Sequence, residues 1–289
     1  MIFINPRTDF AFKKIFGSEQ SHDILISFLN GVLYAGQSTI QTLTIVNPYQ
    51  APIIKGLKST YLDIKAELNT GEMVVIEMQV LNVAGFEKRI LYNAAKAYSI
   101  ELTEGQSYAN LNPVIALTIT DFVMFEEVSQ HISRFILKEK DCLIDYPIQD
   151  LELVFVELPK FKRSLSELES LSDRWIYFLQ HASDLETIPA TMAEIPEMNQ
   201  AFAIANKATL TRDELDEQHR QSFFIQDQRG VAIKATEQGL KQGFEQGSRQ
   251  QQLAVARRSL SLLNDETISQ ITGLSIDIIQ QLRNELPNT

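Results

Sequence analysis

Residues 59–81 constrain this chain more than any other stretch, because their alternation suits a β-hairpin and little else. Ser59-Thr60-Tyr61-Leu62-Asp63-Ile64-Lys65-Ala66-Glu67-Leu68 leads into Asn69-Thr70-Gly71, and Glu72-Met73-Val74-Val75-Ile76-Glu77-Met78-Gln79-Val80-Leu81 returns. A loop of Asn69-Thr70-Gly71, with Gly71 at the left-handed position, sets Asp63 opposite Glu77 and Ile64 opposite Ile76. One face is then apolar throughout, from Leu62, Ile64, Ala66 and Leu68 with Val74, Ile76, Met78 and Val80. A turn at Thr70-Gly71 alone would oppose charged to apolar residues along the whole ladder, so the longer loop is expected.

The second face carries Tyr61, Asp63, Lys65 and Glu67 beside Val75, Glu77 and Gln79. Directly opposed β-carbons lie about 4.5 to 5.5 Å apart, so two carboxylates face one another and repel. Either they share a divalent cation, or the face is solvated and Lys65 eases the repulsion.

Asp63 followed, across the hairpin, by Glu77-Met78-Gln79 resembles the Asp…Glu-x-Gln variant of the PD-(D/E)XK nuclease signature. The chain as a whole resembles the Rpn family of recombination-promoting nucleases, also labelled transposases. The likeness extends to Thr8-Asp9-Phe10-Ala11-Phe12-Lys13-Lys14-Ile15-Phe16-Gly17 and to residues 115–125, and is strongest over 4–158. It implies an α/β fold with a restriction-endonuclease-like core, in the order helix, three strands, helix, strand, and a helical C-terminal extension. It further implies a DNA endonuclease of recombination or mobile-element biology, using Mg²⁺ or Mn²⁺ held by Asp63, Glu77 and the Met78 carbonyl. Asp9, Lys13 and Lys14 would lie beside that site. A noncatalytic, DNA-associated or self-associating protein that kept the fold is the alternative.

This sequence departs from the general nuclease pattern at Gln79, where the superfamily most often has a lysine. A glutamine can orient a water but cannot take up a proton near neutral pH. Lys65, diagonal to Glu77 at about 7 to 8 Å between backbones, is expected to supply the missing charge while Gln79 positions the water.

Composition sets limits. A length of 289 residues, 44% hydrophobic and 22% charged, suits a globular chain with a real core. A net charge of −11 rules out a broad cationic coat, so any DNA contact must be local. Residues 1–7 lack a signal-peptide layout and apolar runs such as 114–119 are too short to span a bilayer, which leads to the expectation of a cytoplasmic protein with no membrane partner. The single Cys142 excludes an internal disulfide framework and is expected to be buried packing, and His22, His131, His181 and His219 lack metal-ligand spacing.

Elsewhere, helices are expected at 8–16 and 21–33, and strands at 42–46, 113–120, 132–137 and 151–158. Over 85–102 a helix should bury Phe86, Ile90, Leu91, Ala94, Ala97 and Tyr98, leaving Arg89, Tyr92, Lys96 and Ser99 as a cationic stripe for the DNA backbone. Lys160, Lys162 and Arg163 form a second basic cluster, and residues from 164 turn helical, with Trp175 packing on the core. A nuclease-like domain over 1–210 would be followed by a helical tail over 211–289, with Gly239, Gly243 and Gly247 evenly spaced in a polar helix. The end of the tail, over 265–286, has a helix-turn-helix pattern whose second helix opens with Ile276 and Asp277, which suits packing or homo-oligomer pairing better than DNA reading.

Overall fold

The computed structural model describes residues 2–50, 60–99, 102 and 106–285. Three layers form around one mixed sheet. In chain order the first half comprises α1 (Asp9–Phe16), α2 (His22–Leu33), β1 (Leu43–Val46), β2 (Tyr49–Gln50), β3 (Thr60–Tyr61), β4 (Ile64–Leu68), β5 (Met73–Gln79), α3 (Phe86–Ser99) and β6 (Val114–Thr120). Then come β7 (Ile132–Phe135), β8 (Leu151–Glu157), α4 (Leu171–His181), α5 (Ala190–Ala193), α6 (Pro196–Ala205), α7 (Arg212–Ser259), α8 (Asp265–Thr272) and α9 (Ile276–Asn284). The six-stranded sheet runs β1-β4-β5-β6-β8-β7, antiparallel at β1/β4, β4/β5 and β8/β7 and parallel from β5 through β6 to β8. Helix α3 joins the parallel strands β5 and β6 as a crossover, completing the restriction-endonuclease-like order of helix, three strands, helix, strand.

The hairpin register is the one the alternation requires. Ile64 pairs with Ile76 and Ala66 with Val74, and Gly71 has φ +98° in the loop. Ile64, Ala66, Leu68, Val74, Ile76 and Met78 join the main core, under a layer built from Phe12, Phe16, Phe28, Trp175 and Phe178 of α1, α2 and α4. The opposite face is not the polar surface expected of it. Val75 is buried there with Met73, Val114 and Ala116 beneath Ala94 and Ala97 of α3, as befits a strand flanked by helices on both sides. Leu62 also packs in this second cluster, not beside Ile64, because a bend at Asp63 breaks the alternation before β4 begins. The chain upstream of that bend pairs as β3 with β2 in a separate two-stranded piece, where the rings of Tyr61 and Tyr49 pack in a tilted arrangement with centroids 4.8 Å apart.

Other expectations need adjustment. Cys142 is exposed, not buried packing, in the connection between β7 and β8 where residues 139–149 are exposed throughout. Leu91 is 52% exposed, and α3 is described to Ser99, residues 100 and 101 lying outside the described residues. Leu165–Glu167 form a short 3₁₀ turn ahead of α4, which starts at a capping box between Ser170 and Asp173. Ser59 and Leu286, the ends of two expected elements, lie outside the described residues.

The described chain divides into two compact units, 1–226 and 227–289. The first four turns of α7 therefore belong with the sheet, beyond the expected boundary at 210. Within the second unit, Ala256, Leu260, Ile268, Leu274, Ile279 and Leu282 make a small core, and Gly273 at φ +71° turns α8 into α9. Among the described residues no helix is long and apolar enough to cross a membrane.

Asn30 of α2 shows how the sheet is tied to its helical layer. Its buried amide donates to the Ile40 carbonyl at 2.8 Å and accepts from the Ile40 N–H at 2.9 Å, fixing the approach to β1. Asn30→Ala leaves both backbone groups buried and unpaired, which should cost about 2 to 4 kcal/mol. Urea unfolding followed through Trp175, the only tryptophan and fully buried in the first unit, measures the loss.

Candidate active site

The site assembles where β5 ends. The ladder between β4 and β5 stops at the Ile64–Ile76 pair, and the bend at Asp63 turns its carboxylate back so that Oδ2 accepts the Met78 N–H at 2.7 Å. Glu77, one residue before Met78, points to the α3 side and receives Arg89 at 3.1 Å. From the other side of the sheet, α1 delivers Lys13, whose Nζ lies 2.6 Å from Asp9 and 3.4 Å from Asp63. Thr8 caps α1 by accepting the Ala11 N–H, so this helix starts with Asp9 in its first turn and carries Lys13 one turn on.

Burial dominates the electrostatics. It pushes the Asp63 carboxyl up to about 6, against the opposing pull of the Met78 N–H and the Lys13 charge. It pushes Glu77 up to about 7, and the neighbouring Asp63 charge adds to the rise while Arg89 opposes it. Burial alone would lower the Lys13 ammonium, but hydrogen bonds and charge from Asp9 and Asp63 outweigh it and hold the ammonium above its ordinary value. Glu77 Oε2 is buried without a hydrogen-bond partner, beside a crevice of about 10 Å³ lined by Glu77, Arg89 and Asn93. Such an orphan acceptor on a carboxylate that repels its neighbour is a ready place for a hard cation, whose preferred ligands are carboxylate and carbonyl oxygens. Among the described residues, no group of three or more Asp, Glu, His or Cys side chains has metal-binding geometry. A cation here would therefore take Asp63, Glu77, a backbone carbonyl such as that of Met78, and water.

Gln79 is more occupied than a free water-positioning group. Its Oε1 accepts from Arg89 at 2.5 Å and its Nε2 donates to the Leu81 carbonyl at 2.6 Å, so its amide aligns Arg89. Lys65 lies opposite Val75 and Val46, and among the described residues it forms no ion pair with either carboxylate. The cations that do reach them are Lys13 and Arg89. The cationic stripe expected on α3 is not formed as such: Lys96 is buried and donates to the Gln50 carbonyl at 2.8 Å, the exposed Ser99 bonds back to the Lys96 carbonyl, and Arg89 is the one cation of the four that reaches solvent, in part, beside Tyr92. Lys160 is likewise committed inward, to Glu157 and the Phe125 and Val128 carbonyls. What sequence reasoning missed is the contribution of α7: Gln218 meets Thr8 at 2.7 Å, and Gln221 accepts the Phe10 N–H at 2.9 Å. Nothing local in a polar helix beginning two hundred residues later signals that contact.

A family model described as PD-(D/E)XK nuclease family transposase matches residues 6–234, which contain every residue named in the site. No curated protein matches the chain, and no solved structure does.

The raised carboxyls give a stability signature. Both groups bind protons more tightly folded than unfolded, so their contribution is fullest below about pH 4 and is lost as pH rises toward about 7. In chelator, Glu77→Gln should equal wild type in thermal midpoint near pH 4 and exceed it at pH 8, by a free energy on the order of 2 kcal/mol. Scanning calorimetry across that pH range checks the crossover; a wild type that gains stability relative to Glu77→Gln on alkalinisation would contradict it.

Proposed function

Because the chain belongs to the PD-(D/E)XK nuclease family transposases, we propose that it is a divalent-metal-dependent DNA endonuclease acting on phosphodiester bonds, in recombination or the movement of mobile elements. The observation that carries this reading is the pair of buried carboxylates, Asp63 and Glu77, held against desolvation and mutual repulsion with one Glu77 oxygen unpartnered. A structural acid pair would be expected to find donors. This pair is arranged as though a ligand completes it.

Asp63 and Glu77, with the Met78 carbonyl, would hold Mg²⁺ or Mn²⁺, which when bound supplies a more acidic water and offsets phosphate charge. The protein's own groups do the rest. The Met78 N–H fixes the Asp63 carboxylate so that it need not reorganise on binding substrate. Lys13, half exposed and kept protonated by its acidic neighbours, is placed to contact a phosphate oxygen and stabilise the charge that builds on it. Arg89, held by Glu77 and aligned by Gln79, has its Nε buried, and the part of its side chain that reaches solvent would be offered to the DNA backbone. Lys13, delivered by the first helix, takes the part that spacing along the hairpin suggested for Lys65.

The rival, a noncatalytic protein retaining the fold, draws on Gln79, whose amide is committed to Arg89 and Leu81. Two measurements separate the readings. Mg²⁺ or Mn²⁺ should raise the thermal midpoint of wild type, and the Asp63→Ala, Glu77→Ala double variant should lose both that shift and plasmid nicking. Equal metal uptake by the two proteins in calorimetry would reject the site.

Single-turnover cleavage at saturating metal tests the cation. Lys13→Met should slow the chemical step by about 10²-fold or more, in line with loss of one charge-stabilising donor, while Lys65→Met stays within a few-fold of wild type. The reverse order would return the role to Lys65.

A further inference from the structure

Beside the site lies a cleft of about 480 Å³ that the metal chemistry does not use. One wall is the end of β5 and the residues after it, with Met78, Val80 and Leu81; the other is one face of α7, on which Glu217, Arg220, Gln221 and Phe224 recur at helical spacing. Its volume falls in the range of ordinary small-ligand sites. Its polar groups are already paired: Arg7 with Asp121 at 3.1 Å, Arg220 with Glu217 at 2.6 Å, and Gln221 with both Glu217 and the Phe10 N–H. What remains available is apolar surface and the ring of Phe224, which is 59% exposed.

Those features select among the parts of a nucleic acid. A phosphodiester backbone seeks unpaired cations, and here the charges of Arg7 and Arg220 are offset by Asp121 and Glu217. A nucleobase is flat, uncharged and stacks on aromatic rings regardless of sequence. The cleft shares Asp9, Met78 and Gln79 with the surroundings of the candidate metal ligands, so a base seated in it would belong to a nucleotide next to the one being cut. A base inside a duplex cannot present its face to a side wall, and only an unpaired one can.

We propose that this cleft receives an unpaired nucleobase stacked on Phe224, so that the substrate is DNA with a single-stranded, frayed or distorted segment at the cut. The proposal rests on the nuclease reading for the identity of the substrate, but its test does not require cleavage. Phe223, 66% exposed and adjacent in sequence, does not line the cleft and serves as the internal control.

The test uses the full chain in chelator and measures binding of end-labelled oligothymidine, of the same oligomer carrying abasic sites, and of a blunt duplex. Phe224→Ala should weaken oligothymidine binding roughly ten-fold, as expected for one lost stacking contact, and leave duplex and abasic binding unchanged. Phe223→Ala should match wild type. Phe224→Leu, which keeps apolar bulk without a ring, should also lose affinity, so a folding defect of the alanine variant, visible in Trp175 fluorescence, does not remove the test. Equal oligothymidine affinity of wild type and both Phe224 variants overturns the proposal. If that equality comes with loss of self-association in ultracentrifugation, the cleft belongs to a second copy of the chain and the proposal is again overturned. The Asp63→Ala, Glu77→Ala protein provides the separation: retained oligothymidine binding without nicking upholds cleft and nuclease together, whereas Phe224-dependent binding with no cleavage by wild type sinks the nuclease reading alone.

Discussion

The hydrogen bond from the Met78 N–H to the Asp63 carboxylate is the contact on which the site depends. It replaces a ladder bond with a side-chain one at the point where β4 would otherwise continue alongside β5. Three consequences follow from that substitution. The chain before Asp63 is released to pair as β3 with β2, Leu62 swings to the α3 face, and the carboxylate is fixed beside Glu77. A strand that simply ran on would have kept the polar face in register but left Asp63 free to rotate into solvent. Here an acid is held in place by a backbone donor, whose own partner would otherwise have been a carbonyl.

Holding two carboxylates together under helices opposes stability, and the fold counters this from both sides of the sheet. Lys13 comes from α1 in the layer that covers the main core, and Arg89 from α3 in the layer opposite. Each helix supplies the ion pair of one acid, Lys13 that of Asp63 and Arg89 that of Glu77. The two pairs meet at the end of β5, at the carboxyl ends of the parallel strands β5 and β6, where open α/β sheets characteristically bind ligands. Arg7 closes the same end by pairing with Asp121, the residue after β6. The residual cost, expressed in the raised affinity of both carboxyls for protons, is the kind of local instability that functional sites retain.

Much of this was legible in the sequence, for physical reasons that differ by element. The hairpin register could be deduced because strand periodicity is short and Gly71 marks the turn, so one wrong step would have put charges in the core. The crossover helix and the buried β6 were legible from an amphipathic run followed by an apolar one, and the acids from their opposition across that register. Alternation could not show the bend at Asp63, since a side chain competing for a backbone donor leaves no periodic trace. Nor could it show that Lys96 turns inward: a lysine on the polar side of a helix looks exposed until the position of the Gln50 carbonyl is known. Spacing along the hairpin singles out Lys65, and the motif at 8–17 brings Lys13 near the site, but periodicity cannot aim a helical side chain and so cannot show that Lys13 is the lysine that pairs with Asp63.

The placement of that cation shows how much of the site lies outside the signature residues. Helix α1 has eight residues, too few to be stable by itself, so its position must come from what it packs against. Phe12, Ile15 and Phe16 seat it in the core, which fixes its depth but leaves its first turn, with Asp9, to be set by polar contacts. Those come from α7: Gln218 is buried against the capping Thr8, Gln221 holds the Phe10 N–H, and Glu214 pairs with Lys14, all on one helical face. The distance from Lys13 to Asp63 is thus controlled in part by residues two hundred positions away, and the helix that controls it also walls the cleft beside the site. That is a physical reason for the family match to run past the last strand to residue 234, and for the first compact unit to include the start of α7.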